Sequence, residues 1–327
     1  MRNRLLLVDG NAVLHRAYYA LPDWRNRSGE ATAGVYGFLS MLLKANDELE
    51  PTHLAVVFDC PEPTFRHTMY VGYQVTREKD RQVSEDIWGQ VEKLKVVFEK
   101  MGVPVFAVPG FEADDVIGTL SLQAINPKPQ VTSRSHTPHR LPPKLGGREE
   151  GGIGNNEVVI ITGDRDLMQL VNKQVKLYMP QKGLSDGIII DEQKVIEKLG
   201  VNPDQVVDYK ALVGDSSDNY PGVTGVGPRG AIDLISNYTN FENIYENLEN
   251  IKETVRKKLA DGYEGGRLSR ELAKIRTDVP VSLEWERAQI PSQEKILDVL
   301  KELGYKSLIK RIGGEDQVDD NQQKLFE

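Results

Sequence analysis

The chain has 327 residues with 39% apolar and 28% charged side chains, enough for one large domain or two ordinary ones, each burying its own core. Its apolar runs are strand-sized, too short to cross a bilayer, and its one cysteine, Cys60, excludes an internal disulfide or a cysteine-built zinc cage, so the cytoplasm is the expected compartment. The net charge of −8 argues against a nucleic-acid partner, unless the carboxylates are gathered in one place and neutralised by cations.

The basic start Met1-Arg2-Asn3-Arg4 followed by Leu5-Leu6-Leu7-Val8 has the look of a leader peptide. The apolar run ends after four residues at Asp9-Gly10, so it reads as a strand. Residues 5–8, 54–58 and 158–162 all have the short apolar character of buried parallel strands. Between them, 33–49 carries apolar residues at helical spacing, and 87–101 reads as an amphipathic helix stopped by Gly102 and Pro104. Residues 103–108 suggest another strand, leading through Pro109-Gly110 into a helix from about Phe111. Strands alternating with helices predict an α/β fold with a mostly parallel sheet.

Residues 127–156 interrupt this pattern with five prolines, five glycines and five Lys/Arg against two Glu. They read as a disordered insertion, and a solvated loop is preferred over a DNA contact. From about Leu177 the texture changes to helices with Gly/Pro punctuation. The expected organisation is an α/β catalytic domain over 1–176, a helical domain over 177–290, and a closing helix with a loose acidic tail over 291–327.

Each predicted strand is followed by an aspartate: Asp9, Asp59 and Asp164. In open parallel sheets, sites form outside the carboxyl ends of the strands, so these three should converge. One strand-end Asp is usually a turn or helix cap, whereas three in register point to a site. Glu112, Asp114 and Asp115 open a helix, where the macrodipole accounts for one or two acids but not for a crowd of three. Asp164 with Asp166, and Asp215 with Asp218, are further pairs, each weak alone. Hard oxygen donors without cysteine or clustered histidine select Mg²⁺ or Mn²⁺, and nine acids exceed what one such ion needs. Two ions suit phosphoryl displacement, and the gathered acids then reconcile the negative charge with a DNA partner.

Val223-Thr224-Gly225-Val226-Gly227-Pro228-Arg229-Gly230 reads as a glycine hairpin feeding a helix, with Gly225 and Gly227 letting backbone N–H groups approach a phosphate. A plain glycine-rich turn has equal weight on this stretch alone. Residues 65–81 mix Phe65, Tyr70 and Tyr73 with Arg66, Arg77, Lys79 and Arg81, which suits unpaired nucleic acid. A solvated surface is slightly favoured there, and Arg16 is equally ambiguous. The five histidines are scattered and no P-loop or Ser/His/Asp order is present.

Leu7-Val8-Asp9-Gly10-Asn11, Val56-Val57-Phe58-Asp59, Phe111-Glu112-Ala113-Asp114-Asp115, Thr162-Gly163-Asp164-Arg165-Asp166-Leu167 and Val213-Gly214-Asp215-Ser216-Ser217-Asp218-Asn219 resemble, in order, the motifs of the bacterial 5′→3′ exonuclease and flap endonuclease family. The resemblance runs from about Leu5 to about residue 285, and is nearest to the 5′-nuclease domain of polymerase I enzymes. It implies a PIN-like domain followed by a helix–hairpin–helix (helix–three-turn–helix) domain, two Mg²⁺ or Mn²⁺ ions, and cleavage near a 5′ end or flap in replication and repair. All nine acids fall on metal-site positions, and the implied catalytic set is Asp9, Asp59, Asp114 and Arg77. Arg16 and Lys210 match phosphate contacts, Tyr73 a stacking residue, and Arg77 a basic residue of the arch around the 5′ end, while Gly225, Gly227 and Arg229 lie in the DNA-gripping hairpin. Two positions depart: Gln74 stands where the family usually has lysine, and Pro228-Arg229-Gly230 where it has Glu-Lys-Thr. The implied partner is flap, nicked or branched DNA, handled by a monomer with or without a separate polymerase. The alternatives are a junction-binding protein with weak or lost catalysis, suggested by Gln74, and an RNA-directed nuclease, which would not need the hairpin.

Overall fold

The computed structural model describes residues 3–25, 29–75, 81–126, 156–181 and 187–314. A six-stranded sheet runs in the order β3-β2-β1-β4-β5-β6. Its strands are β1 (Arg4–Asp9), β2 (His53–Val57), β3 (Val105–Phe106), β4 (Glu157–Ile161), β5 (Val175–Pro180) and β6 (Gly187–Ile190). All neighbours pair in parallel except β5 and β6.

Alternation along the strands divides the core into two layers. Leu5, Leu7, Ala55, Val57, Val158 and Ile160 face one side, under α5 (Ala113–Ile125) and the helices that follow the sheet. Leu6, Val8, Leu54, Val56, Val159 and Ile161 face the other, under α1 (Gly10–Ala20), α2 (Ala33–Leu49) and α4 (Arg81–Met101). A short helix, α3 (Phe65–Met69), lies beyond the carboxyl end of β2. The C-terminal array comprises α6 (Glu192–Leu199), α7 (Val206–Val213), α8 (Pro228–Tyr238), α9 (Phe241–Glu246), α10 (Glu253–Asp261) and α11 (Tyr263–Ala273). It shares its core with the α5 side of the sheet through Val206, Leu212, Leu234 and Phe241.

The sheet runs past the boundary expected after residue 176: Leu177 lies inside β5, and β6 ends at Ile190. Val175, Leu177 and Met179 do alternate as a strand should, but Lys176 and Pro180 break up the apolar run that would have marked it in the sequence. The strand expected over 103–108 is two residues long. The closing helix resolves into α12 (Gln293–Glu302) and α13 (Lys306–Arg311), whose Val299, Leu300, Leu308 and Ile309 return to the layer under α1, α2 and α4. Just before them the chain lies along β2: Leu54 N donates to Ala288 O at 2.7 Å and Ile290 N to Thr52 O at 3.2 Å. The bulk of the 127–156 insertion, residues 127–155, and the tail beyond residue 314 lie outside the described residues.

Candidate metal centre and nucleic-acid interface

Parallel neighbours bring their carboxyl ends to one edge, and the predicted acids meet there. Asp9 ends β1 and caps α1, accepting from Ala12 N at 3.0 Å. Its other oxygen accepts from Thr162 Oγ1 at 2.7 Å, and Thr162 directly follows β4, the strand beside β1. Asp59, two residues past β2, donates its N–H to Asn11 Oδ1 at 3.1 Å and accepts from Ala113 N at 2.8 Å, tying β2 to the start of α5. Asp164 donates its N–H to Thr162 Oγ1 at 2.9 Å and accepts from Asp166 N at 2.8 Å.

The α5 acids join this edge by different routes. Glu112 is the helix N-cap and forms a capping box with Asp115. Its side chain also accepts from Thr64 Oγ1 at 3.3 Å and the Tyr73 hydroxyl at 3.2 Å. Asp114 has Asp164, Asp9, Asp166 and Glu112 around it.

Withdrawal from water and mutual repulsion raise the proton affinity of the group. Burial pushes Asp9 up to about 7, with Asp164 and Asp59 adding to it against the Thr162 and Ala12 hydrogen bonds. Glu112 also rises to about 7, by burial and despite Arg66. Asp164 rises to about 6 by burial and Asp166, and Asp114 goes well above the usual carboxylate range by burial and its four acidic neighbours. Such a group favours a proton or a bound cation over bare charge.

A second cluster adjoins the first. Ligating oxygens of Asp166, Asp215 and Asp218 all lie within 4.8 Å of one another. Lys210, on α7, donates to Asp166 and to Asp215 Oδ2, the latter at 2.7 Å. Burial opposes ionisation of Asp215, yet Lys210 and the Ser217 hydroxyl hold its carboxyl down at about 2. The loop bearing Asp215 and Asp218 closes through paired bonds between Asp215 and Tyr220, N to O at 2.9 and 3.0 Å. Its ends cross at two glycines: at Gly222 (φ +63) a Cβ would stand 2.3 Å from Gly214 N. An all-oxygen donor set of this kind fits a hard divalent ion.

Three expectations do not match the placement. Asp115 is fully buried, and its carboxylate accepts from Arg66 Nη1 and Nη2 (2.7 and 2.9 Å), Glu112 N (3.1 Å) and Arg276 N (2.8 Å). With its oxygens so occupied Asp115 is placed as an anchor, which leaves the other eight acids as ligand candidates. Tyr73 is 4% exposed, packed edge-on to His67 with ring centroids 5.2 Å apart, so it offers no face for stacking on a base. Arg66, expected on a basic surface, is 2% exposed and also donates to Leu272 O and Lys274 O at 2.8 and 2.9 Å. The crowd of three acids is the available signal in the sequence, since one of them needs a fixed cation. Thr64 and Thr162, which orient Glu112 and Asp9, carry no such signal.

The basic candidates lie on separate elements. Arg16 donates through Nη2 to Gln181 O, and Lys210 lies between its two aspartates. Gly225 adopts φ +84, open to glycine at no cost, and its carbonyl accepts from Lys258 Nζ at 2.9 Å. Gly227 caps α8, with Pro228 in its first turn. With exposed Arg229 and Lys258 and half-buried Val255, these residues line an open groove of about 570 Å³. Arg77 and Lys79 lie outside the described residues. No described helix is long and apolar enough to cross a membrane.

Residues 4–136 match the family model for the 5′-3′ exonuclease N-terminal resolvase-like domain, and 201–295 the one for the 5′-3′ exonuclease C-terminal SAM fold. The chain is 35% identical to DNA polymerase I of Bacillus caldotenax over 95% of its own length and 32% of that protein's. It is also 35% identical to the thermostable DNA polymerase I of Thermus thermophilus, over 95% of this chain and 33% of the other. The chain thus spans about a third of the length of these relatives. Among solved structures, the bacteriophage T5 flap endonuclease in a pseudo-enzyme-product complex with DNA and metal ions aligns with a TM-score of 0.62 at 16% identity, over 95% of this chain and 96% of that one. The catalytic core of Rad2 with a DNA substrate aligns at 0.52 and 16% identity, over 96% and 89%. These share the fold, a PIN-like sheet domain followed by a helical domain of the SAM or helix–three-turn–helix type. With both of its domain models matched in order, the chain belongs to the 5′-3′ exonuclease family.

Proposed function

We propose that the chain is a divalent-metal 5′ nuclease that hydrolyses DNA phosphodiester bonds near a 5′ end or at the base of a 5′ flap, in replication and repair. The observation that supports this most is the gathering of Asp9, Asp59, Glu112, Asp114 and Asp164 at one sheet edge, beside the Asp166, Asp215 and Asp218 cluster. In this reading the first five acids hold one Mg²⁺ or Mn²⁺ and the last three a second. Bound there, the ions supply a water of lowered pKa and Lewis-acid stabilisation of the leaving 3′-oxygen.

The chain's own residues do the rest. Thr162 and Ala113 N hold the Asp9 and Asp59 carboxylates and Asn11 holds the Asp59 backbone, so little reorganisation is left for the reaction. Lys210, between Asp166 and Asp215 of the second cluster, is placed to meet a phosphate oxygen, as are Arg16 and, from its sequence position, Arg77. The α8 N-terminus, with Gly225, Gly227 and Arg229, is suited to grip duplex backbone through N–H groups and one exposed guanidinium. The chain acts as a monomer, and its polymerase partner sits on the same or a separate chain, as the polymerase I relatives suggest.

Cleavage of 5′-flap DNA, blunt duplex and RNA in Mg²⁺ tests this. Flap DNA is the expected substrate, EDTA stops the reaction, and Asp114→Asn abolishes cleavage while flap binding persists. Turnover by that variant would remove Asp114 from the centre. Flap binding without any cleavage by the parent chain would leave a junction-binding protein, and preference for RNA would overturn the DNA assignment.

A further inference from the structure

The turn that follows α3 contacts both acid clusters at once. Tyr73 N donates to Tyr70 O at 3.0 Å and Val75 N to Gly72 O at 3.3 Å, making two overlapping turns. The Tyr73 hydroxyl donates to Glu112 Oε2 at 3.2 Å, in the first cluster. The next residue, Gln74, donates through Nε2 to Asp218 Oδ1 at 3.2 Å and through its backbone N–H to Asp218 O at 2.9 Å, in the second. Asn219 returns the contact, its Nδ2 donating to Gly72 O at 2.7 Å.

The backbone at this seam is strained. Gln74 has φ +55 and Asn219 φ +58, two of the four non-glycine residues with positive φ in the described chain. Asparagine accepts that region readily and glutamine poorly, so the contacts around Gln74 must hold it there.

We propose that Tyr73 and Gln74 act as a caliper, two consecutive positioning residues that set the separation of the Glu112 and Asp218 carboxylates, with Gln74 orienting Asp218 for its ion. This rests on the two-ion reading above. An amide is well suited to that role, because it donates one hydrogen bond to a carboxylate oxygen, leaves the other lone pairs for a cation, and adds no charge to compete with it. At the position where the family resemblance leads one to expect lysine, this chain works through a ligand's geometry rather than by supplying charge. The buried Tyr73 has the matching role on the other arm.

The test is direct Mn²⁺ binding, followed by the loss of the free-ion paramagnetic resonance signal, alongside flap cleavage as a function of Mn²⁺ concentration. The informative variant is Gln74→Gly, because glycine keeps the positive φ and the backbone N–H while deleting only the amide. Loss of an outer partner of a metal ligand is expected to weaken binding of one ion about 10-fold, with cleavage recovering as Mn²⁺ is raised. Tyr73→Phe should weaken the other ion and leave the Asp218 ion unchanged. If Gln74→Gly fails to melt cooperatively, Gln74→Met keeps the side-chain length and removes the donor without adding charge, and the same weakening is expected. Unchanged Mn²⁺ binding in a folded Gln74 variant overturns the caliper and leaves the nuclease reading standing. Absence of Mn²⁺ binding and flap cleavage in the parent chain overturns the nuclease reading itself.

Discussion

Asp114 and Asp115 are adjacent in sequence and meet opposite surroundings. Asp114 sits among four other acids, whereas Asp115 closes a bidentate pair with the buried Arg66. Asp115→Ala leaves that guanidinium with Glu112, 3.2 Å away, as its only carboxylate partner, and urea unfolding should show a loss of about 3 kcal/mol. Asp114→Asn relieves repulsion instead and should leave stability equal or higher in metal-free buffer. Proton linkage separates the two classes further. Asp9 and Glu112 are raised to about 7 and Asp164 to about 6, so in the folded chain they bind protons that the unfolded chain has already released. Their contribution to stability is therefore greatest at low pH and is lost as pH rises from about 4 towards 7. A divalent ion that takes over from those protons should raise the melting temperature more at pH 8 than at pH 5, and a pH-independent increment would contradict this. Residue spacing made the crowding legible. Which acid faces Arg66 was not, because that depends on helix azimuth and on Leu272 and Lys274, about two hundred residues away in the chain.

At the scale of elements, the three apolar runs that the sequence advertised became β1, β2 and β4, the strands that carry Asp9, Asp59 and Asp164 to the edge. Their burial on both faces produced the unbroken apolar signal. β5 and β6 were illegible because a peripheral antiparallel pair tolerates Lys176 and Pro180. The glycine hairpin could be read in outline, but the crossing of Gly214 and Gly222 could not, since the contact between them depends on how the whole loop folds back. Gly222→Ala should cost about 1–3 kcal/mol for a side chain at positive φ, and more if the crossing must open. Because the crossing frames the loop with Asp215 and Asp218, that variant should also weaken Mn²⁺ binding, and an unchanged affinity would show that the loop holds its shape without it.

Across the whole molecule, the chain closes on itself: α12 and α13 cover the same layer as α1, α2 and α4. Truncation after residue 290 removes Val299, Leu300, Leu308 and Ile309 from that layer, each such buried side chain contributing about 1.5–3 kcal/mol. A marked fall in melting temperature is expected, and an unchanged one would make these helices an ornament. The central position of β1 has a different consequence. Its neighbours are β2 and β4, and Asp9 waits for Thr162, 153 residues further along. Closing so long a loop is slow relative to making local helices. During synthesis, a chain that has emerged only as far as α5 has one flank of β1 bare and a hydroxyl missing from its first aspartate. On the nuclease reading proposed above, cutting power is withheld from unfinished polypeptides and arrives late, once the strands and loops that complete the edge have left the ribosome.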